Sequence, residues 1–490
     1  MEKQKIAMKQ TLKKILPKNR FARSVSFLAG GTAAGQAITV LAAPLLTRLY
    51  SPEDFGLLAV YTSLLMTIGV IASLRYQLAI PLPKSDEEAA HVVVLSLFIV
   101  LGISLASFIA VFFFQNQIAH FVNTPTMSKY LWLLPPGLLL LGTYQVFNFW
   151  AVRVKAFTTI AQTKLVQSAS MVAVQIGAYA IGPVSLIIGQ IIGRAAGTGR
   201  LGSFAIHKRW DVFRSIRFKN VLWAMKRYRR FPIFSTWAAA FNSAGTQLPP
   251  LLFAALFTPS AAGFYMLAHR VVTMPMTLIG RSVGQVFFST GAEAQRTGNL
   301  GELVSSLHTR LAQIAMPPAL FLFITGPDIF SLIFGENWRI AGEVARWLSP
   351  MLYVQFIVGP LSQVNSILET QVHGLVLQAI LFISRVLAIG LAYFFSKEFI
   401  FAVLLYGLLS CCAYFLFLFV IIYLSKLKII SVINITIKTF VYSFPLVIPA
   451  IIAMLYNKNL IIFYSSGFAS VLLISLFYIY IFRYTERIST

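Results

Sequence analysis

Acidic side chains are scarce: 15 Asp and Glu stand against 40 Lys and Arg in 490 residues. The acids there are fall in turns or at the ends of apolar runs, as Asp54, Asp86, Asp328, Glu336, Glu343, Glu369 and Glu398 do. No carboxylate pair is therefore placed deep in such a run for acid–base work or for holding a cation. Cysteine is scarcer still. Cys411 and Cys412 are neighbours, a spacing that suits neither a metal site nor a disulfide framework, and they read as two small core residues. No Walker-type phosphate loop occurs, so ATP hydrolysis by this chain is not expected. Neither catalytic residues, nor a cofactor, nor a metal ion is expected. Charge of either sign reaches only 11%, against about 25% in an average soluble domain.

Apolar residues take up the room, at 58% of the chain. From Ser24 onward one apolar run follows another, and about 20 such residues span the ~30 Å hydrocarbon core as a helix. The expected fold is an all-α polytopic membrane protein of about 14 transmembrane helices. The spans are placed at 24–48, 56–80, 89–114, 130–151, 158–181, 184–206, 232–257, 261–290, 303–334, 341–368, 374–396, 399–424, 435–456 and 460–482. A full-length first span with no cleavage site marks the basic start as an anchor rather than a signal peptide.

The positives are distributed unevenly. Eight Lys and Arg lie in the first 23 residues, and the 207–230 segment holds nine cations and one acid. Arg153, Lys155, Lys426, Lys428, Arg483 and Arg487 fall on the same side, while the other side carries only scattered single charges. The positive-inside rule then puts both termini in the cytoplasm. A net charge of +25 invites comparison with nucleic-acid binders. Here the positives flank spans and no soluble module exists, so the bilayer and its anionic headgroups are the expected partners, not nucleic acid.

An internal repeat is visible. Tyr50-Ser51-Pro52 leads to Gly56, and Phe257-Thr258-Pro259 leads to Gly263, at an offset of 207 residues (259 − 52 = 207). The expected organisation is a basic N-terminus (1–23), a six-helix half (24–206), a basic cytoplasmic loop (207–231), a second six-helix half (232–424) and an extra helix pair (425–490). Halves that start on the same side are parallel repeats, a transporter design with a central cavity and alternating access.

Cations inside spans are costly and usually face a cavity or a partner. Arg75, Arg194, Arg200, Arg270, Arg281 and Arg385 are the candidate cavity cations, for an anionic substrate. Lys164 and Arg346 share the pattern, but like Arg75 and Arg200 they lie near enough to span ends to snorkel. Arg270 and Arg281 project within ~20° of one another on a helix, on a stripe shared with Met274, Thr277 and Gln285. Glutamines such as Gln285, Gln355 and Gln363 suit a hydrated cavity and equally suit interhelical hydrogen bonds. Gly189, Gly193 and Gly197 form a small-residue ridge for close packing.

The stretch Leu46-Thr47-Arg48-Leu49-Tyr50-Ser51-Pro52-Glu53-Asp54-Phe55-Gly56, with Leu74-Arg75-Tyr76-Gln77 after it, resembles the opening of the bacterial lipid-linked oligosaccharide flippases. That family lies within the multidrug/oligosaccharidyl-lipid/polysaccharide exporter superfamily. His269-Arg270-Val271 and Phe334-Gly335-Glu336-Asn337-Trp338 add to the resemblance. It implies translocation of undecaprenyl-diphosphate-linked oligosaccharide across the inner membrane for O-antigen, capsule or exopolysaccharide assembly. It implies a polysaccharide polymerase and a chain-length regulator as further partners. It also puts Arg75, Arg270 and Arg385 in matching segments; Arg194, Arg200 and Arg281 rest on the residues alone. A peptidoglycan-precursor flippase and a multidrug pump are the nearest alternatives, and a membrane polymerase or glycosyltransferase is the alternative of another class. The short outer loops and the lack of intramembrane acids speak against the last two.

Overall fold

The computed structural model describes residues 20–208, 210–214, 216–456 and 467–479, and among them there is no strand. Most of the basic N-terminus lies outside the described residues. The helices are α1 (Arg20–Leu49), α2 (Pro52–Gly69), α3 (Asp86–Phe121), α4 (Leu134–Arg153), α5 (Phe157–Gly177), α6 (Val184–Lys208), α7 (Trp210–Arg214), α8 (Phe218–Arg227) and α9 (Thr236–Leu256). They continue as α10 (Pro259–Thr297), α11 (Leu300–Phe334), α12 (Arg339–Leu361), α13 (Val364–Ile367), α14 (Gln371–Phe395), α15 (Phe399–Leu424), α16 (Ile429–Tyr456) and α17 (Gly467–Ile479). Among the described residues eight helices are long and apolar enough to cross a membrane. This is a multi-pass membrane protein. The chain divides into two compact units, Met1–Gln247 and Leu248–Thr490.

In the first unit α1 packs on α5, α5 on α6, α6 on α4, and α4 on α3. The glycine ridge of α6 does what its spacing predicts. A Cβ on Gly189 would stand 2.9 Å from the Met171 carbonyl oxygen, and one on Gly193 2.7 Å from that of Gln167. The repeat has a local cause. Ser51 Oγ accepts from Asp54 N at 3.2 Å with Pro52 in the first turn of α2, and Thr258 Oγ1 accepts from Ala261 N at 3.1 Å with Pro259 opening α10. Both sites are hydroxyl caps before a proline that needs no N–H partner.

The expected span at 56–80 differs. The 56–80 stretch is helical only to Gly69; turns follow, Leu74 and Arg75 take left-handed φ of 46° and 63°, and a short 3-10 turn covers Tyr76–Ala79. Irregular backbone inside a membrane protein survives only where its polar groups are satisfied. Here Leu74 N reaches Ile71 O at 2.9 Å and Leu78 N reaches Arg75 O at 3.0 Å. Arg153 at the end of α4 clasps the exit, its Nη1 donating to Pro83 O (2.9 Å) and Ile80 O (3.3 Å) and its Nε to Asp86 Oδ1 (3.0 Å).

In the second unit α12 packs against α10, α11 and α15, and α16 lies on α11. Helix α11 carries Pro317, Pro318 and Pro327. Each lacks an N–H, so the carbonyl four residues earlier is released. Two of the released carbonyls find partners from other helices. Phe323 O accepts from Arg346 Nε at 2.9 Å, and Ile314 O accepts from Tyr478 Oη at 2.6 Å.

Candidate functional site

The intramembrane cations sort by what they touch. Arg346 is fully employed: besides Phe323 O it donates to Ile324 O (3.0 Å) and to Glu343 Oε1 (3.1 Å). That arrangement caps a proline-broken helix and leaves little for a ligand. Arg200, exposed on α6, donates to Gln162 Oε1 at 2.6 Å. Arg385 on α14 enters an aromatic box. It donates to Tyr414 Oη at 3.1 Å, its guanidinium carbon is 5.9 and 5.8 Å from the Tyr406 and Tyr414 ring centres, and Tyr406 meets Tyr265 hydroxyl to hydroxyl at 3.2 Å. His269 stacks on Tyr265 with centroids 5.3 Å apart. Aromatic faces offset the charge of a buried guanidinium without a carboxylate.

Four other cations are less provided for. Arg75 sits at the break after α2, and its Nε is buried with no hydrogen-bond partner among the described residues. Arg194 on α6 has a buried Nε in the same condition, and so has the hydroxyl of Tyr144 on α4. Lys164 on α5 rests 4.8 Å above the Tyr144 ring, within electrostatic range of Arg194. The first unit thus brings two cations together, and no ion pair among the described residues engages either. Arg270 on α10 is half-buried and likewise makes no hydrogen bond or ion pair among the described residues. The Arg281 side chain lies outside the described residues.

A cavity of about 520 Å³ opens in the second unit between α10 and α12. Thr273, Thr277, Gln285, Gln355 and Gln363 give it polar walls, and Phe288 supplies an aromatic ring. Thr273 and Thr277 donate to carbonyls of their own helix, at 2.6 and 2.9 Å, so their free lone pairs act as acceptors. Gln355 Oε1 is buried and has no donor among the described residues. A Cβ at Gly280 or Gly359 in this wall would meet nothing within 4 Å, so these glycines leave space rather than fill it. Thr277 and Gln285 lie on the stripe expected from the sequence, whereas Met274 and Arg270 do not line this cavity.

Behind it, and sharing Met276 and Phe356 as a wall, lies an apolar cleft of about 560 Å³ among α10, α11, α12 and Tyr478 of α17. Val272, Ile279, Leu322, Phe330 and Leu352 line it. Both volumes fall in the ~300–1,000 Å³ range of ligand sites. Hydroxyl acceptors, amides and a ring in one chamber, and hydrocarbon in the next, suit an amphiphile with a polar head and an apolar tail. Sequence reasoning missed the cleft and Tyr478 altogether. The one signal was the Pro317-Pro318 pair, which announces a released carbonyl but not what meets it.

The chain is similar to several known proteins. Residues 45–342 match the family model described as polysaccharide biosynthesis protein. The succinoglycan biosynthesis transport protein ExoT of Rhizobium meliloti (strain 1021) is 22% identical over 325 residues, 65% of this chain and 63% of that one. The teichuronic acid biosynthesis protein TuaB of Bacillus subtilis (strain 168) is 24% identical over 155 residues, 31% of this chain and 32% of that one. The matches thus span less than two thirds of these relatives' length. In fold, the chain resembles the lipid II flippase MurJ in an inward closed conformation, with a TM-score of 0.73 and 14% identity over 93% of this chain and 98% of that one. An inward-facing MATE multidrug transporter follows at 0.59 and 14%, covering 81% and 96%. With the family model covering more than half of its length, the chain belongs to the polysaccharide biosynthesis protein family of membrane proteins.

Proposed function

We propose that this protein is a flippase that carries undecaprenyl-diphosphate-linked oligosaccharide from the cytoplasmic to the periplasmic leaflet of a bacterial inner membrane by alternating access. Its product would feed O-antigen, capsule or exopolysaccharide assembly, with a polymerase and a chain-length regulator downstream. The observation that carries the reading is the shared wall at Met276 and Phe356. On one side, threonine oxygens and glutamine amides match sugar hydroxyls, and Phe288 offers a stacking face. On the other, the cleft accepts a stretch of isoprenoid chain. The diphosphate would meet arginines, whose planar forks suit phosphate oxygens. Arg75, Arg194, Arg270, Arg281 and Arg385 are the proposed set, with Arg200 at the exposed edge of α6. The role requires no bond making, so energy comes from an ion gradient or from consumption of the product.

Two glycines test the polar chamber. Gly280→Leu and Gly359→Leu project side chains into space that the structure leaves open, so both variants should accumulate in the membrane. Each should cut surface polysaccharide at least tenfold in cells that depend on this protein. Undiminished polysaccharide with either variant would remove the chamber from the transport path.

A further inference from the structure

The basic segment after α6, which the positive-inside rule assigns to the cytoplasm, contains a feature that orientation alone does not explain. Helix α8 packs on α3, burying Val221 and Ala224 in a cluster with Tyr76, Ile80, Val92 and Trp150. Two hydrogen bonds fasten it: Tyr76 Oη donates to Met225 O at 3.1 Å, and Arg217 N donates to His91 Nε2 at 3.3 Å. Its inner edge is therefore satisfied. A second apolar stripe is not. Phe218, Leu222 and Met225 remain 69%, 42% and 39% exposed. At 100° per residue these three fall within about 60° of one another, about 90° round the helix from the buried pair. Lys219 and Lys226 come next, about 90° further on, followed by Trp223 and Arg227 on the far side.

Passing round the helix, the order is protein contact, exposed apolar stripe, then cations. A helix in water gains nothing from an exposed stripe beside its buried one. In the interface of a bilayer the stripe enters the acyl boundary, and flanking lysines extend along it to the headgroups. Charge complementarity selects the headgroup: Lys219, Lys226, Arg227, Arg229 and Arg230 occur in a row of twelve residues without an acid, and the cytoplasmic leaflet is anionic.

We propose that α8 is an interfacial helix that binds anionic phospholipid of the cytoplasmic leaflet, inserting Phe218, Leu222 and Met225 and holding phosphates with Lys219, Lys226 and Arg227. Because Tyr76 follows the left-handed Leu74–Arg75 pair, the lipid-bound helix also braces the break after α2. This site is separate from the chambers between α10 and α12, and its test does not depend on transport.

The full chain, with Cys411 and Cys412 replaced by alanine, carries a nitroxide at Leu222→Cys or at Trp223→Cys in lipid nanodiscs. With phosphatidylglycerol present, the Leu222 label should be accessible to oxygen and shielded from a water-soluble nickel relaxant. The Trp223 label should show the reverse. Retention of spin-labelled phosphatidylglycerol over phosphatidylcholine should fall about fivefold for each of Lys219→Gln, Lys226→Gln and Arg227→Gln. Equal nickel exposure at both positions would overturn the proposal and leave the stripe for a protein partner. A Leu222 label that is shielded equally in purely zwitterionic discs would overturn the anionic preference.

Discussion

At the scale of single residues, the arginines show that a charge in a span is not by itself a binding residue. Arg346 and Arg270 are both cations within apolar runs, and in sequence only depth separates them, Arg346 lying near enough to a span end to snorkel. The first is committed to Phe323 O, Ile324 O and Glu343; the second engages nothing among the described residues. Their variants should separate cleanly. Arg346→Lys keeps the charge beside Glu343 but cannot reach both carbonyls, and should cost roughly 1–3 kcal/mol through buried acceptors left bare. Heat or denaturant unfolding in detergent would read this as lost stability. Arg270→Gln should instead leave stability within ~1 kcal/mol and abolish polysaccharide export, with Arg270→Lys restoring part of it. If Arg270→Gln fails to accumulate, or exports normally, the diphosphate role of α10 loses its support. Depth was legible in sequence but the partner was not, because the Phe323 carbonyl that Arg346 meets is released by Pro327, one helix away.

At the scale of elements, the long apolar runs and the α6 ridge were legible because they depend on local period. Gly189, Gly193 and Gly197 repeat every four residues, and that spacing alone fixes which face approaches α5. The break after Gly69 was not legible: residues 70–80 stay mostly apolar despite Ser73, Arg75 and Gln77, and hydropathy does not distinguish a helix from turns whose exit carbonyls at Ile80 and Pro83 are met by Arg153. The same holds for α17, which met the sequence only as one of two surplus spans yet closes the apolar cleft. A double-mutant cycle tests how it is held. Tyr478→Phe removes the hydrogen bond to Ile314 O and should cost about 0.5–1.5 kcal/mol. Pro318→Ala returns an N–H to that carbonyl, so in its presence Tyr478→Phe should cost much less. Additive losses in the cycle would show that Tyr478 acts through packing alone.

At the scale of the whole molecule, the charge asymmetry bears on orientation and the family match on the proposed carrier role. We propose that the α8 segment faces the cytoplasm. In the cysteine-free background, Asn220→Cys should resist a membrane-impermeant thiol reagent in intact cells and react after permeabilisation. Asn116→Cys, near the opposite end of α3, should react in both. Reversed labelling would invert the orientation and with it the direction of transport. The central claim is that this chain alone moves a lipid-linked oligosaccharide between leaflets, and reconstitution tests it most directly. Purified protein in liposomes containing a fluorescent polyprenyl-diphosphate oligosaccharide is challenged with a membrane-impermeant quencher. Wild-type protein should bring the inner-leaflet fraction out to the quencher, and Gly280→Leu should slow that at least tenfold. A protected fraction that stays put with wild-type protein, or that moves equally well with Gly280→Leu, would contradict the account.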